Sequence, residues 1–380
     1  MTRGRIALAA VVVTLLLPAA AWAHPDLVVE PPYAGTVAAH GPSLVVLRFN
    51  EPVTPVGSGI RVTGPRGRDA SSGPVHRDGA TLLRPVDTRE HGTYVVEWRV
   101  VGDDTHPARG AFLFSVGERT RAALPGDAGA SLWLQALGRW LSFAGLALGF
   151  GVPFAAALSG GMTPRLWRLV TAGIVLALVA EPVALLGQTA TLAPSRALDP
   201  QLAGDVLLTS YGHTAGLRVG AALGLWALAG AVRQASPRAL WAIPVLGVAA
   251  ATVAALSSHR IAGIPAPLSL AVTTAHVAAA GAWLGCVAVA VAEARGRALA
   301  RTGALVAIVL VLTGARLAFG QLGSVGDLVE TSYGVALSVK LALVAVALAL
   351  GARALRRAEL AAGLAALAAA AVVVSLLPPV

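Results

Sequence analysis

Asp104-Thr-His106 sets a carboxylate and an imidazole two residues apart. In extended backbone, side chains at i and i+2 share a face. The pair follows Gly92-Thr-Tyr-Val-Val-Glu-Trp-Arg-Val100, whose alternation puts Tyr94, Val96, Trp98 and Val100 on one face of a half-buried strand. A carboxylate and an imidazole on the end of a strand form part of a metal site. Alone, they read first as a turn-capping Asp104 and a surface His106, since both residue types are common in turns at strand ends. His24 adds the missing donors. Arg3 and Arg5, the apolar run Ile6 to Leu17 and Ala21-Trp-Ala23 read as an export signal. Cleavage after Ala23 makes His24 the first residue, with a free amine and its own imidazole to chelate one ion. Pro25 has no backbone N–H, so the chelate stops there and a further nitrogen must come from elsewhere, best from His106. Asp103 adjoins the pair, and the choice between Asp103 and Asp104 as the acid facing the metal stays open.

The chain of 380 residues is 56% hydrophobic and 13% charged, which calls for several membrane spans beside one small soluble domain. The formal charge of +10 does not mark a nucleic-acid binder, because the arginines fall in short loops between apolar runs. Cys286 is the single cysteine, so an intrachain disulfide and a cysteine-type zinc site are both excluded. Met1 and Met162 are the only methionines, too few for a soft thioether site.

The expected organisation is a signal over 1–23, a β domain over 24–118, a linker over 119–132 and a membrane domain over 133–380. Strands are expected at 44–49, 60–63, 93–101 and 111–116, making an all-β Greek-key sandwich. Eight helical spans are expected near 133–157, 166–188, 213–232, 238–256, 267–292, 301–320, 334–353 and 358–377. With the β domain outside, the cytoplasmic connections carry Arg165, Arg168, Arg233, Arg238, Arg295, Arg297, Arg301, Arg353, Arg356 and Arg357. The outer ones carry Asp199, Asp205, Asp327 and Glu330, so the charge bias agrees with this topology at every crossing.

An internal repeat is visible. Thr209-Ser-Tyr-Gly212 and Thr331-Ser-Tyr-Gly334 each precede a span, Arg218 and Lys340 follow the tyrosines by seven residues, and Gly187-Gln188 and Gly320-Gln321 end the preceding spans. This reads as a parallel duplication of four helices. Ionisable groups inside apolar spans are costly and informative: Glu181, Arg218, His276, Arg316 and Lys340, with His213 and His259 at outer ends. Glu181 and Arg316 lie at comparable depth and are expected to pair. Lys340 and Arg218 are expected in structural pairs or snorkelling, and Cys286 as a small buried residue. Glu51 is a lesser ligand candidate, expected to be solvated; His40, His76 and His91 are expected at the surface.

The exported part resembles the copper resistance protein C (CopC) family through His24, Pro32, Gly35, Phe49-Asn-Glu-Pro-Val53, the 92–101 strand, Asp104-Thr-His-Pro107 and Gly110-Ala-Phe-Leu-Phe-Ser-Val116. The resemblance implies that His24, Asp104 and His106 bind Cu(II), an ion that prefers tetragonal nitrogen and oxygen ligands. The membrane part resembles the copper resistance protein D (CopD) family through Ser257-Ser-His259, His276 with Gly281-Ala-Trp-Leu-Gly285, Leu312-Thr-Gly314, and Thr331-Ser-Tyr-Gly334 with Lys340. It implies His259 and His276 as membrane residues for Cu(II) or Cu(I). The order of the halves resembles fused CopC–CopD proteins of the copper-acquisition type. The expectation is a non-enzymatic plasma-membrane protein with its N-terminal domain outside. That domain takes copper from the medium or an extracytoplasmic donor such as a copper chaperone, and copper then passes into the cell. No P-loop is present to drive transport. A tethered copper buffer and a haem or copper redox enzyme are the alternatives.

Overall fold

The computed structural model describes residues 25, 27–103, 105–120, 122, 130–233, 237–258, 264–322 and 324–376. His24, Asp104 and His259 lie outside them.

Eight strands form the N-terminal sandwich: β1 Leu27–Val29, β2 Val37–Ala38, β3 Leu44–Phe49, β4 Val53–Thr63, β5 His76–Asp78, β6 Thr81–Pro85, β7 Gly92–Gly102 and β8 Pro107–Val116. They make two four-stranded sheets, ordered β1-β3-β6-β5 and β2-β8-β7-β4. The alternation along β7 places Tyr94, Val96, Trp98 and Val100 in the core, at most 8% exposed, with Val95, Glu97 and Arg99 half-buried between them. Burial of side chains this size contributes about 1.5–3 kcal/mol each. Phe49 meets Trp98 edge-on at 5.2 Å, and Tyr94 stacks on Phe114 at 5.1 Å. Gly110 of β8 lies under Trp98, where an added Cβ would come within 2.5 Å of Cζ2. The β7–β8 hairpin is therefore anchored along its length, in register from Gly92 opposite Val116 to Val101 opposite Pro107. Past β8, the Arg119 guanidinium donates to the Gly35 carbonyl, and Thr120 exchanges hydrogen bonds with Thr93.

Among the described residues, eight helices are long and apolar enough to cross a membrane. We label the helices α1 Ser131–Leu158, α2 Pro164–Leu192, α3 Pro200–Leu207, α4 Ser210–Val232, α5 Ala239–Leu256, α6 Ala266–Glu293, α7 Gly296–Phe319, α8 Asp327–Glu330, α9 Ser332–Ala352 and α10 Arg356–Ser375; α3 and α8 are short. α1 contains a π turn over Ala147–Gly151. There α6 presses backbone against backbone: a Cβ on Gly151 would fall 2.1 Å from the Gly281 carbonyl oxygen, and one on Gly285 2.1 Å from Gly151 C. Small residues allow such contact where lipid gives helices little other reason to associate.

The described chain divides into two compact units. One holds the helices over 132–184 and 214–380; the other joins the sandwich to residues 185–213.

Candidate metal sites

In the sandwich unit, the backbone around His106 is not extended. β7 closes onto β8 through a tight turn, with Gly102 N–H donating to the His106 carbonyl and Thr105 N–H to the Gly102 carbonyl, both at 3.0 Å. Thr105 takes φ 72°, a left-handed conformation uncommon for a β-branched residue. Asp104, its expected neighbour on one strand face, lies outside the described residues; for His106 the turn, not the pleat, sets its direction. His106 is 1% exposed and Thr105 2%, so His106 is not a surface histidine. Asp103 is exposed, and its N–H donates to the Pro52 carbonyl. Glu51, expected to be solvated, is 1% exposed, in the short connection between the buried ends of β3 at Phe49 and β4 at Val53. Pro25, next to His24, is buried. His40, His76 and His91 are exposed as expected.

Residues 185–213 hold that turn from the same unit. Gln188 donates its amide to the Thr105 carbonyl at 3.3 Å, and the Ser210 hydroxyl donates to the Gly102 carbonyl at 2.5 Å. Between them Asp199 caps α3, accepting from Gln201 N–H at 2.9 Å. The neighbouring Arg196 guanidinium, with that cap, holds the Asp199 carboxyl below the usual carboxylate range.

In the helical unit, His276 Nδ1 lies 3.0 Å from Thr313 Oγ1. The Thr313 hydroxyl has one proton, and its oxygen is 2.7 Å from the Val309 carbonyl. The proton goes to that carbonyl, so the imidazole donates from Nδ1 and keeps a lone pair on Nε2. A hydrogen bond of this kind on the other ring nitrogen fixes the tautomer of metal-binding histidines. Gly314 makes room for the ring: a Cβ there would lie 3.0 Å from His276 Cε1. The ring lines a cavity of about 100 Å³ with Ser258, Thr273, Gln321, Tyr333 and Lys340 among its polar walls. Tyr333 donates its hydroxyl to Gln321 Oε1.

Two pairing expectations change. Glu181 pairs with Arg218, not Arg316, through a two-pronged bridge of 2.7 and 2.9 Å, and Arg218 also reaches Ser257 Oγ at 3.4 Å. The planar guanidinium fork matches the carboxylate, and comparable depth alone did not bring Arg316 to it. For Lys340, expected to pair or to snorkel, the pair is not found: among the described residues no carboxylate lies within salt-bridge distance of it. Cys286 is buried and unpaired in a disulfide, as expected. His213 is exposed. Among the described residues no three His, Cys, Asp or Glu side chains converge as a metal site.

Residues 27–117 match the CopC domain, and 129–266 match the copper resistance protein D-like N-terminal domain. Protein YobA of Escherichia coli K12 is 35% identical over 116 residues, 30% of this chain and 93% of YobA. The chain belongs to the CopC family, fused to a CopD-like membrane domain. Copper resistance protein C of Xanthomonas campestris pv. juglandis is 38% identical over 114 residues, 27% of this chain and 86% of its own. The crystal structure of CopC from Methylosinus trichosporium OB3b aligns at 28% identity over 26% of this chain and 99% of its own, with a TM-score of 0.23.

His106 thus lies in the CopC domain, on its β7–β8 turn. The CopD-like match ends at residue 266, ahead of His276 and Lys340. Residue types alone did not find Thr313, Gln321, Gln188 or Ser210. The repeat marked Gln188, Gln321 and Ser210, which are among its matched positions, and Thr313 stood in the Leu312-Thr-Gly314 stretch of the CopD resemblance.

Proposed function

We propose that the CopC domain captures Cu(II) on the extracytoplasmic side through His24, Asp104 and His106, and that copper then passes to the membrane histidines His276 and His259 on its way into the cell. The observation that carries the membrane step is His276: its Nδ1 lies 3.0 Å from the Thr313 hydroxyl, which leaves Nε2 free on a ring that lines a largely apolar cavity with a few polar walls. Capture is supported by the buried His106 on an anchored turn, with Pro25 buried next to His24. An amine, two neutral imidazoles and a carboxylate suit Cu(II). In this reading 1–23 is removed on export, 24–118 is the capture domain, 119–132 is the tether and 133–380 is the path.

Radiocopper flux into proteoliposomes tests the path. Wild type should accumulate copper and H276A should not; equal uptake by both would sink it. Cu(II) titration of H106A tests capture, and an affinity equal to wild type would remove His106 from the site.

A second reading, a tethered copper buffer of the resistance type, is favoured by Lys340, whose ammonium in the cavity opposes a passing cation. It expects copper binding by the CopC domain with no flux in wild type.

A further inference from the structure

The two halves of the membrane domain differ at one matched position. In the first half Glu181 lies seven residues before Gln188, and Arg218 lies seven residues after Tyr211. Glu181 and Arg218 form the two-pronged bridge. In the second half the position seven residues before Gln321 is Gly314, and the one seven residues after Tyr333 is Lys340. The cation is kept and its carboxylate is deleted. The His276 ring and the cavity occupy the space a Gly314 side chain would take.

We propose that this cavity binds a small monovalent anion, of the halide or carboxylate class, that stands in for the missing carboxylate and pairs with Lys340. A cation inside a membrane span is tolerated when it has a partner or faces a wet cavity. The described walls of the cavity supply no acid: α1 contributes Phe143, Leu146 and Ala147, α7 Gly314 and Leu317, and α10 only apolar side chains. The ionisable walls are His276, Tyr333 and Lys340, and the Gln321 amide is a further polar group. A volume of about 100 Å³ admits one such ion with water but nothing of drug size. The site rests on Lys340 and on the comparison of the halves, and it does not require copper at His276.

Equilibrium dialysis of the purified full-length chain in detergent, with radiolabelled chloride at constant ionic strength in methanesulfonate, measures it. Wild type should bind about one chloride per chain saturably, with formate competing. K340R should retain binding, and K340M should weaken it at least about tenfold. Should K340M fail to fold, the double variant G314E/H276A restores the first-half carboxylate with space for it, and should lose chloride because Lys340 is then paired. No saturable chloride on wild type, or wild-type affinity in K340M or in the double variant, overturns the proposal.

Discussion

His276 Nδ1 lies 3.0 Å from the Thr313 hydroxyl, whose own proton reaches the Val309 carbonyl at 2.7 Å. The hydroxyl therefore selects one imidazole tautomer. T313V keeps the shape and removes the acceptor. Copper affinity of the membrane site should fall about 10- to 100-fold, as when other outer-shell partners of ligating histidines are lost. T313S should stay near wild type. The check is a copper competition titration of full-length protein in an H106A background, which isolates the membrane site.

The clamp on the CopC turn predicts a remote effect on capture. Q188L and S210A each remove one neutral hydrogen bond to the turn, worth about 1 kcal/mol net. Neither residue is a proposed ligand. Each should weaken Cu(II) at the exported site by about fivefold, the equivalent of that energy. Isothermal titration reads it, with unchanged Cu(II) stoichiometry.

Glu181 and Arg218 should behave as a unit. Their side chains are 11% and 17% exposed. R218M strands a buried carboxylate and should cost about 3–5 kcal/mol, whereas E181L/R218M removes both charges and should recover most of it. Thermal unfolding of the three proteins in one detergent decides it, and a double variant no better than R218M would show that the pair holds nothing.

On the proposed ligand set, protons would compete with Cu(II) for the imidazoles of His24 and His106, so affinity should fall progressively below about pH 6.5. The clamp should not be the cause. Because Arg196 holds Asp199 below the ordinary carboxylate range, its capping contribution is intact above the unfolded carboxylate value near 4 and is lost only as the pH drops through the lowered value. Between pH 5 and 6.5, copper should therefore leave with the fold unchanged, read by Cu(II) absorption against far-ultraviolet circular dichroism.

Period-two alternation was enough to place β7 and its buried face, because Tyr94, Val96, Trp98 and Val100 all have one apolar side to satisfy. Span positions followed from apolar run length for the same reason. The turn was not legible: Thr105 adopts a backbone that a β-branched residue seldom takes, and the hydrogen bonds that hold it come from residues 83 and 108 positions away. Glu51 was misread because exposure was inferred from residue type, while it sits between the buried strand ends at Phe49 and Val53. The ion pairs depended on which helix faces which, and sequence depth cannot tell Arg218 from Arg316. The repeat held the answer, since Arg218 and Lys340 were already matched in it.

The glycine contact between α1 and α6 limits how the protein can move. With Gly151 seated against Gly281 and Gly285, α6 has no room to roll or slide along its neighbour, so it serves as a fixed post. Thr313 ties α7 to that post through His276. Widening the cavity then falls to α9 and α10, and a swing of α9 would carry the ammonium away from the imidazole.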